Sequence, residues 1–330
     1  MDIPHSMRAA FIRRTGDVDQ IEVADLPVPR PGPTDVLVRM TASVVNPVDL
    51  FVRSGAYRTH LPFPFVIGRD LVGTVVQPGP GVSGFRPGDA VWCNSLGHHG
   101  RQGAFAQYAV VASERLYPLP SGVAPEQAVA VLHPAATAHL GLVREARLQK
   151  GETLLVEGAG GAVGSALVQM AHDTGARVLA TAAAGDAPWC TACGASAVFD
   201  YHDPRLAERI AGAAPDGVDV WWDTSGHNDL ARCLPRMAPR GRIVVMSGLG
   251  RGDVPLPMGA LYARDLRLLG FAISNASADE LADAARHLNR LLASGALRAR
   301  IGARFQLADA ARAHAALAGG RVRGRIIILP

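Results

Sequence analysis

The segment from Glu157 to Ser165, EGAGGAVGS, has the residue types and the spacing to hold phosphate groups. Glycine stands at 158, 161 and 164, between an apolar run, TLLV, and an amphipathic run, ALVQMAHDTGA. Small residues let a backbone approach a pyrophosphate closely, and free N–H groups at the start of a helix supply donors and positive potential. The order of strand, glycine turn and helix therefore predicts a dinucleotide-binding site.

The elements that must position this turn follow from the pattern of apolar residues. From about Gly151 onward, apolar strands alternate with helical segments at the spacing of βαβ units. The strands that we predict are TLLVEG, ARVLATA, AVFDY, VDVWWDT, GRIVVMS and LRLLGFA. Six such strands alternating with helices indicate an α/β, doubly wound parallel sheet.

The first part of the chain has a different organisation. Short β-type runs such as DVLVRMTASVV and LVGTVVQPG are broken by proline and glycine turns, which predicts a mostly antiparallel β domain. Near the end, Ser277 and Glu280 form a capping-box pattern for a helix that stops at Gly295. The closing run RIIILP resembles the early strands, so we expect the C-terminus to rejoin the β domain. The predicted limits are 1–127 and 275–330 for that domain and 128–274 for the sheet domain.

Composition narrows the class of protein. A chain of 330 residues favours two domains, and no run approaches the roughly 18 apolar residues of a membrane helix. The N-terminus lacks the apolar core of a signal peptide, and four cysteines make no disulfide framework, so we expect a cytoplasmic protein. The net charge is +4, but the arginines are scattered, and we expect neither a nucleic-acid partner nor a membrane. Cys190 and Cys193 are interpreted as helix residues, with a redox or metal pair as the alternative.

A series of motifs resembles one family along nearly the whole chain from Met7. They are NPVDLFVRSGAY, PFVIGRDLVGTV, GFRPGDAVW, GAFAQYAVV, ATAHLGL, GAGGAVG, FDY, DTSG, GRIVVMSG and GRVRGRIII. Their order resembles the medium-chain dehydrogenase/reductase superfamily and, within it, the zinc-independent quinone oxidoreductase branch to which ζ-crystallin belongs. The resemblance implies a GroES-like, β-rich catalytic domain beside a Rossmann dinucleotide-binding domain. It also implies a homodimer paired through the last sheet strand, LRLLGFA.

The zinc ligands of related enzymes are replaced in this chain. Zinc alcohol dehydrogenases of the superfamily have cysteine where Asn46 stands and a His-Glu pair where Arg69 and Asp70 stand. A catalytic zinc needs three protein ligands and an open position, so we expect no metal. Without a Lewis acid the chemistry should be an easier hydride transfer, to a quinone or to a C=C bond conjugated to a carbonyl group.

The catalytic residues implied by the resemblance lie in one short segment. Asn46 and Tyr57 are candidates for hydrogen bonds to the substrate oxygen or to nicotinamide, in a cleft between the domains. Arg53 could stabilise developing negative charge, or could form a salt bridge with Asp49 on the same helix.

His133 and His139 could tune substrate choice or donate a proton, or could simply line the wall of the cleft.

The cofactor contacts carried over from the family are spread along the chain. They are Asn46, Thr137, Gly158, Gly161, Ala162, Val163, Gly164, Tyr201, Ser225, Ser247, Phe271, Ile273 and Arg321. NADPH is favoured over NADH because no acidic residue stands at the tip of the second strand to bind ribose hydroxyls. Against this, Asp186 stands where the family often has a lysine for the 2′-phosphate. Arg321 or Arg325 could compensate.

Two other classes of function stay open on the sequence. An enoyl-thioester reductase shares this fold and would need a basic entrance for a pantetheine phosphate or a carrier protein. A non-catalytic, NADPH-binding crystallin or RNA-binding protein would keep the glycines without turnover.

Overall fold

The computed structural model describes residues 3–249 and 251–330. Residues 1 and 2, which begin the predicted β domain, lie outside this description, as does residue 250. Contacts divide the chain into two compact units, of which one runs to His133 and resumes at Ser277, and the other is Pro134–Ala276. We call them the β unit and the sheet unit. The domain limits predicted from the sequence, at 127/128 and 274/275, stay a prediction.

The described residues form sixteen strands and nine α-helices. The strands are β1 (Ser6–Ile12), β2 (Glu22–Pro27), β3 (Asp35–Val45), β4 (Phe65–Val66), β5 (Asp70–Pro78), β6 (Ala90–Cys93), β7 (Tyr108–Ala112), β8 (Tyr117–Pro118), β9 (Thr153–Glu157), β10 (Arg177–Ala182), β11 (Ala197–Asp200), β12 (Val218–Asp223), β13 (Met237–Val245), β14 (Arg267–Gly270), β15 (Ile301–Gln306) and β16 (Arg325–Leu329). The α-helices are α1 (Pro47–Ser54), α2 (Pro125–His139), α3 (Ala162–Thr174), α4 (Ala187–Ala192), α5 (Leu206–Ala213), α6 (Leu230–Cys233), α7 (Met258–Tyr262), α8 (Ala278–Ala293) and α9 (Ala310–Ala318). A π-helical segment, Leu140–Glu145, follows α2.

The β unit is built on a sheet in the order β15-β16-β3-β5-β6-β8, with β7 paired to β3. All its pairs are antiparallel except β15 with β16. β3 supplies buried Val36, Val38 and Met40 to the core, as expected of a strand rich in β-branched residues. β16 pairs with β3, so the return of the C-terminus to this unit is confirmed.

The sheet unit contains one parallel sheet in the order β11-β10-β9-β12-β13-β14. Each of the six strands predicted from the sequence is confirmed. The middle of β9, Leu154–Val156, is an unbroken apolar run and is fully buried. Such runs are typical of parallel sheets, because helices cover both of their faces. The strand order reverses between β9 and β12, which is the point where ligands of doubly wound sheets bind.

The helix predicted after the sixth strand is confirmed together with its cap. Ser277 Oγ accepts a hydrogen bond from Glu280 N at 3.1 Å, and Glu280 Oε2 accepts one from Ser277 N at 2.8 Å. This reciprocal pair satisfies two N–H groups that a helix start leaves without intrahelical acceptors. Among the described residues, no helix is both long enough and apolar enough to cross a bilayer.

Candidate active site

The glycine turn follows β9 directly and opens α3. Gly158 has a φ of +74°, and Gly161 is the N-cap of α3, so no side chain competes for the first N–H groups of that helix. A Cβ at Gly164 would lie 2.3 Å from Gly158 O, which leaves room for glycine alone. The turn thus combines a helix start that carries no capping side chain with a close backbone approach, which fits the pyrophosphate of a dinucleotide.

Two carboxylates stand at the carboxyl ends of the central strands. Glu157, which ends β9, accepts a hydrogen bond from Arg232 Nη2 at 2.6 Å, and burial raises its pKa to about 7. Asp223, which ends β12, accepts bonds from the backbone N–H groups of Ser225 at 2.6 Å and Asn228 at 2.5 Å. Asp223 therefore fixes the loop that carries Ser225 at the switch point of the sheet.

Other predicted cofactor residues of the sheet unit gather at this end of the strands. Ser247 Oγ donates to Asp223 O at 3.2 Å, which joins the loops after β12 and β13. Phe271 follows β14, and its ring meets Trp222 edge-on with centroids 5.7 Å apart. Ile273 begins the short 3-10 turn just beyond Phe271.

Three predicted contacts belong to other elements of the chain. Tyr201, in the turn after β11, is half exposed. Thr137 is buried in α2. Arg321 is exposed in the β unit, in the segment between α9 and β16. Binding of cofactor by any of these residues stays a prediction.

The β unit holds a buried polar cluster centred on Asn46, which precedes α1. Asn46 Nδ2 donates to Asp70 Oδ2 at 3.0 Å, and Arg325 Nη2 donates to Asn46 Oδ1 at 2.6 Å. Asp49 Oδ2 accepts from Asn46 N at 2.8 Å. Asn46 thus ties the starts of α1, β5 and β16 together, and a direct contact with substrate stays a prediction.

Burial controls the charges in this cluster. It raises the pKa of Asp70 to about 8 and that of Asp49 to about 6, and it lowers the pKa values of Arg69 and Arg325. His133 Nδ1 lies 3.9 Å from Asp70 Oδ1, and burial lowers its pKa to about 3. Around neutral pH the two guanidinium groups therefore face the Asp49 carboxylate, a protonated Asp70 and a neutral imidazole.

Tyr57 lies at the half-exposed edge of this cluster. The guanidinium carbon of Arg69 is 6.0 Å from the centre of the Tyr57 ring, and the His98 ring lies 5.7 Å from it on a tilted plane. The structure therefore places Tyr57 beside Arg69 and Asn46 beside Asp70, and a catalytic role for Asn46 or Tyr57 stays a prediction.

Arg53 is not brought into this cluster. The charged groups that act on Arg53 are Asp17 and Asp19, and the charge of Arg53 contributes to the lowered pKa of His314. The pKa values of Asp49 and Asp70 respond to Arg69 and Arg325 instead. The structure thus gives no support to the interpretation of Arg53 as a partner of Asp49, and its role in catalysis stays a prediction.

The donor set at the position of the zinc ligands does not fit a zinc ion. Arg69 carries a guanidinium, which has no lone pair to offer a metal, and both ends of the Asn46 amide are bonded within the cluster. Among the described residues, no group of three or more His, Cys, Asp and Glu is placed to hold a metal ion.

Sequence reasoning missed the roles of Arg325, Asp70 and Glu157. Arg325 is one of the two arginines that could compensate for Asp186 at the cofactor phosphate, but in the structure it is buried and donates to Asn46 Oδ1, which gives that alternative no support. Glu157 and Asp70 could have been noticed, because Glu157 is the last residue and Asp70 the first residue of an apolar strand.

Comparisons with known proteins agree with this geometry. Residues 32–121 match the family described as alcohol dehydrogenase GroES-like domain, and residues 162–290 match zinc-binding dehydrogenase. The quinone oxidoreductase of Mus musculus is 31% identical, with 98% of each chain covered. A solved NAD-dependent alcohol dehydrogenase is 32% identical, with a TM-score of 0.89 and coverage of 98% of this chain and 100% of that one. A mycobacterial protein solved in complex with NADPH is 30% identical, with a TM-score of 0.86 and coverage of 98% and 100%.

A GroES-like β unit and a doubly wound sheet with a glycine turn define a medium-chain dehydrogenase/reductase, that is, an oxidoreductase that uses a pyridine nucleotide. The chain belongs to the quinone oxidoreductase branch of that superfamily.

Proposed function

We propose that this protein reduces quinones or α,β-unsaturated carbonyl compounds with a hydride from NADPH, without zinc. The observation that carries the proposal is the cluster of Asn46, Arg69 and Asp70, since it places a guanidinium and a hydrogen-bonded amide where a metal site would need ligands. The names of the mouse relative and of other curated relatives, quinone oxidoreductases, support the substrate class.

The residues of this chain have separate roles in the proposed reaction. The bound cofactor supplies the hydride. The glycine turn would hold the pyrophosphate with N–H groups of α3, and Asp223 keeps the loop of Ser225 in place at the switch point. In the β unit, Asn46 and Tyr57 orient the acceptor, and the guanidinium groups favour the negative charge that hydride uptake creates. The proton that completes a hydroquinone comes from water.

The proposal is tested by cofactor oxidation at 340 nm with 1,4-benzoquinone, a simple enone and crotonyl-CoA as acceptors. We expect turnover of quinone or enone, unchanged by a chelator. Turnover of crotonyl-CoA alone would assign the protein to the enoyl-thioester reductases. Tight cofactor binding with no turnover of any acceptor would favour the non-catalytic alternative.

A cytoplasmic location stays a prediction.

The preference for NADPH has a specific test at Asp186. The tip of β10 carries alanines at 182, 183 and 184, so no carboxylate stands there to select NADH. However, a Cβ at Gly160 would lie 2.7 Å from Asp186 Oδ2, so that carboxylate lies against the glycine turn and opposes a nearby phosphate. We expect Asp186→Lys to tighten NADPH binding about tenfold relative to NADH, since an opposite charge replaces a like one.

Titration of cofactor fluorescence would measure both dissociation constants. Asp173→Lys is the matched control, because it makes the same change of charge near the far end of α3. An equal effect of both variants, or none at Asp186, would contradict a role for this carboxylate in cofactor choice.

We also propose a homodimer formed through β14. Within the described part of the chain this strand pairs on one side only, with β13, and Leu268 is 39% exposed. Tyr262 of the preceding α7 is 74% exposed. An open edge with apolar side chains is suited to strand pairing with a second copy.

A charge on that edge should abolish the dimer. We expect Leu268→Lys to convert a dimer to a monomer in sedimentation experiments, because pairing would bring two lysines together across the two-fold axis. Phe51→Lys, at a side chain that is 38% exposed in the β unit, should leave the dimer intact. A wild-type monomer, or a Leu268→Lys dimer, would contradict the proposed interface.

A further inference from the structure

Arg69 is a buried cation whose hydrogen bonds are incomplete. Its side chain lies in the β unit just before β5, and the residue is 2% exposed. Within the described ranges, neither Nε nor Nη2 has a hydrogen-bond partner. These two nitrogens form one edge of the guanidinium, the edge that binds an oxygen ligand with two parallel N–H donors. Buried donors without acceptors are costly, so an unfilled edge calls for a ligand.

The neighbouring carboxylates do not fill that edge. Asp70 Oδ2 accepts from Asn46 Nδ2, and Asp49 Oδ2 accepts from Asn46 N. Arg325, the other buried arginine of the cluster, donates to Asn46 Oδ1. The cluster is therefore held together through Asn46, while the Nε and Nη2 edge of Arg69 has no acceptor among the described residues.

The surroundings of Arg69 identify the chemistry of that ligand. The half-exposed Tyr57 ring lies 6.0 Å from the guanidinium carbon, so the cation adjoins an aromatic surface against which a planar ring could lie. Asp70 has a raised pKa of about 8 and is largely neutral at pH 7, so the guanidinium groups are incompletely balanced. An oxygen carrying negative charge on a flat, conjugated molecule fits both features.

We infer that Arg69 is a catalytic residue that donates hydrogen bonds from Nε and Nη2 to the substrate oxygen that becomes negative during reduction. The inference rests on the proposed function and deepens it. When a quinone accepts a hydride, two electrons and one proton enter the ring system, the cofactor is oxidised, and a hydroquinone monoanion forms. Arg69 stabilises that anion until water supplies the second proton.

The test uses 4-nitrophenol, a planar oxyanion probe that resembles the hydroquinone monoanion, without reduced cofactor. We expect the wild-type protein to bind it as the yellow phenolate, with its absorbance near 400 nm appearing at lower pH than in free solution. Arg69→Met should weaken phenolate binding at least ~100-fold and remove that shift, by analogy with the loss of one oxyanion-binding donor. Its kcat for 1,4-benzoquinone should fall by a similar factor, with cofactor affinity unchanged.

Control variants separate this role from a structural one. Arg242→Met removes a partly buried arginine of the sheet unit that is bonded to Glu152, and it should leave the probe shift intact. Arg69→Lys keeps the charge but loses the two-donor edge, so we expect about tenfold weaker phenolate binding, and this variant serves if Arg69→Met does not fold. Circular dichroism checks the fold of each.

Wild-type phenolate affinity in a folded Arg69→Met variant, or in Arg69→Lys when only that variant folds, would overturn the inference. So would a wild-type protein that does not shift the probe. Failure of the proposed function looks different: the probe would shift in the wild type and not in the variant, but no quinone or enone would be reduced. That result would leave Arg69 as an oxyanion-binding residue for another substrate.

Discussion

Gly164→Val is expected to abolish the binding of NADPH and NADH while the rest of the sheet unit folds. A Cβ at this position would meet Gly158 O at 2.3 Å and Ala159 Cα at 2.7 Å, both of them backbone atoms that cannot move aside cheaply. Relief of that clash must push the glycine turn away from α3. The N–H donors would then no longer converge on the pyrophosphate, and we expect the dissociation constant to rise more than ~100-fold.

The measurement is a titration of cofactor fluorescence on the variant, with circular dichroism to check folding. Gly212→Ala is the matched control, because Gly212 lies in α5 and a Cβ there would have no atom within 4 Å. It should bind cofactor as the wild type does, and the helix should gain about 1 kcal/mol. Cofactor binding by a folded Gly164→Val variant with wild-type affinity would show that the turn does not hold the phosphates.

Asp70 should make the stability of the protein depend on pH. Burial raises the pKa of Asp70 in the folded protein to about 8, against an ordinary value of 3.8. The folded protein therefore holds this proton more tightly than the unfolded chain does. The stability that Asp70 contributes is present in full below about pH 4 and is lost as the pH rises through 8.

Comparison with Asp70→Asn isolates this effect, since the amide cannot ionise. We expect the difference in unfolding free energy between the two proteins to change by several kcal/mol from pH 4 to pH 8, in the direction that favours the variant at high pH. The stability that Asp49 contributes also falls as the pH rises, over a narrower range, because burial raises its pKa to about 6. The stability that His133 contributes falls instead as the pH drops, because burial lowers its pKa to about 3. Asp49 and His133 are present in both the wild type and the Asp70→Asn variant, so the difference between the two proteins reports on Asp70.

Urea unfolding at several pH values measures that difference. Asp216→Asn, in an exposed turn, changes the same atoms outside the cluster and should follow the wild-type profile. Parallel profiles for the wild type and Asp70→Asn would contradict a buried, protonated Asp70.

The sequence predicts the sheet unit well because its signals are local. Unbroken apolar runs such as Leu154–Val156 indicate strands covered on both faces, and the glycines after β9 mark the turn by their backbone requirements. The capping box at Ser277 and Glu280 is likewise readable from residues three apart. Such patterns need no knowledge of distant contacts.

The polar cluster of the β unit could not be predicted in the same way. Arg325 and Asn46 are 279 residues apart in the chain, and their hydrogen bond exists because β16 pairs with β3. The return of the last strand was expected, but not its register, which decides whether Arg325 points into the cluster or away from it. The resemblance to known enzymes drew attention to Asn46 and Arg69 as replacements for zinc ligands, yet the bonds they make depend on the folded arrangement.

The most direct test of the central claim is a stopped-flow single turnover of NADPH with excess 1,4-benzoquinone in the presence of a chelator. We predict loss of absorbance at 340 nm matched by an equal amount of hydroquinone, and a slower rate when the transferred hydrogen of nicotinamide C4 is deuterium. An unchanged 340 nm signal with quinone and with an enone, in protein shown to bind the cofactor, would contradict the account.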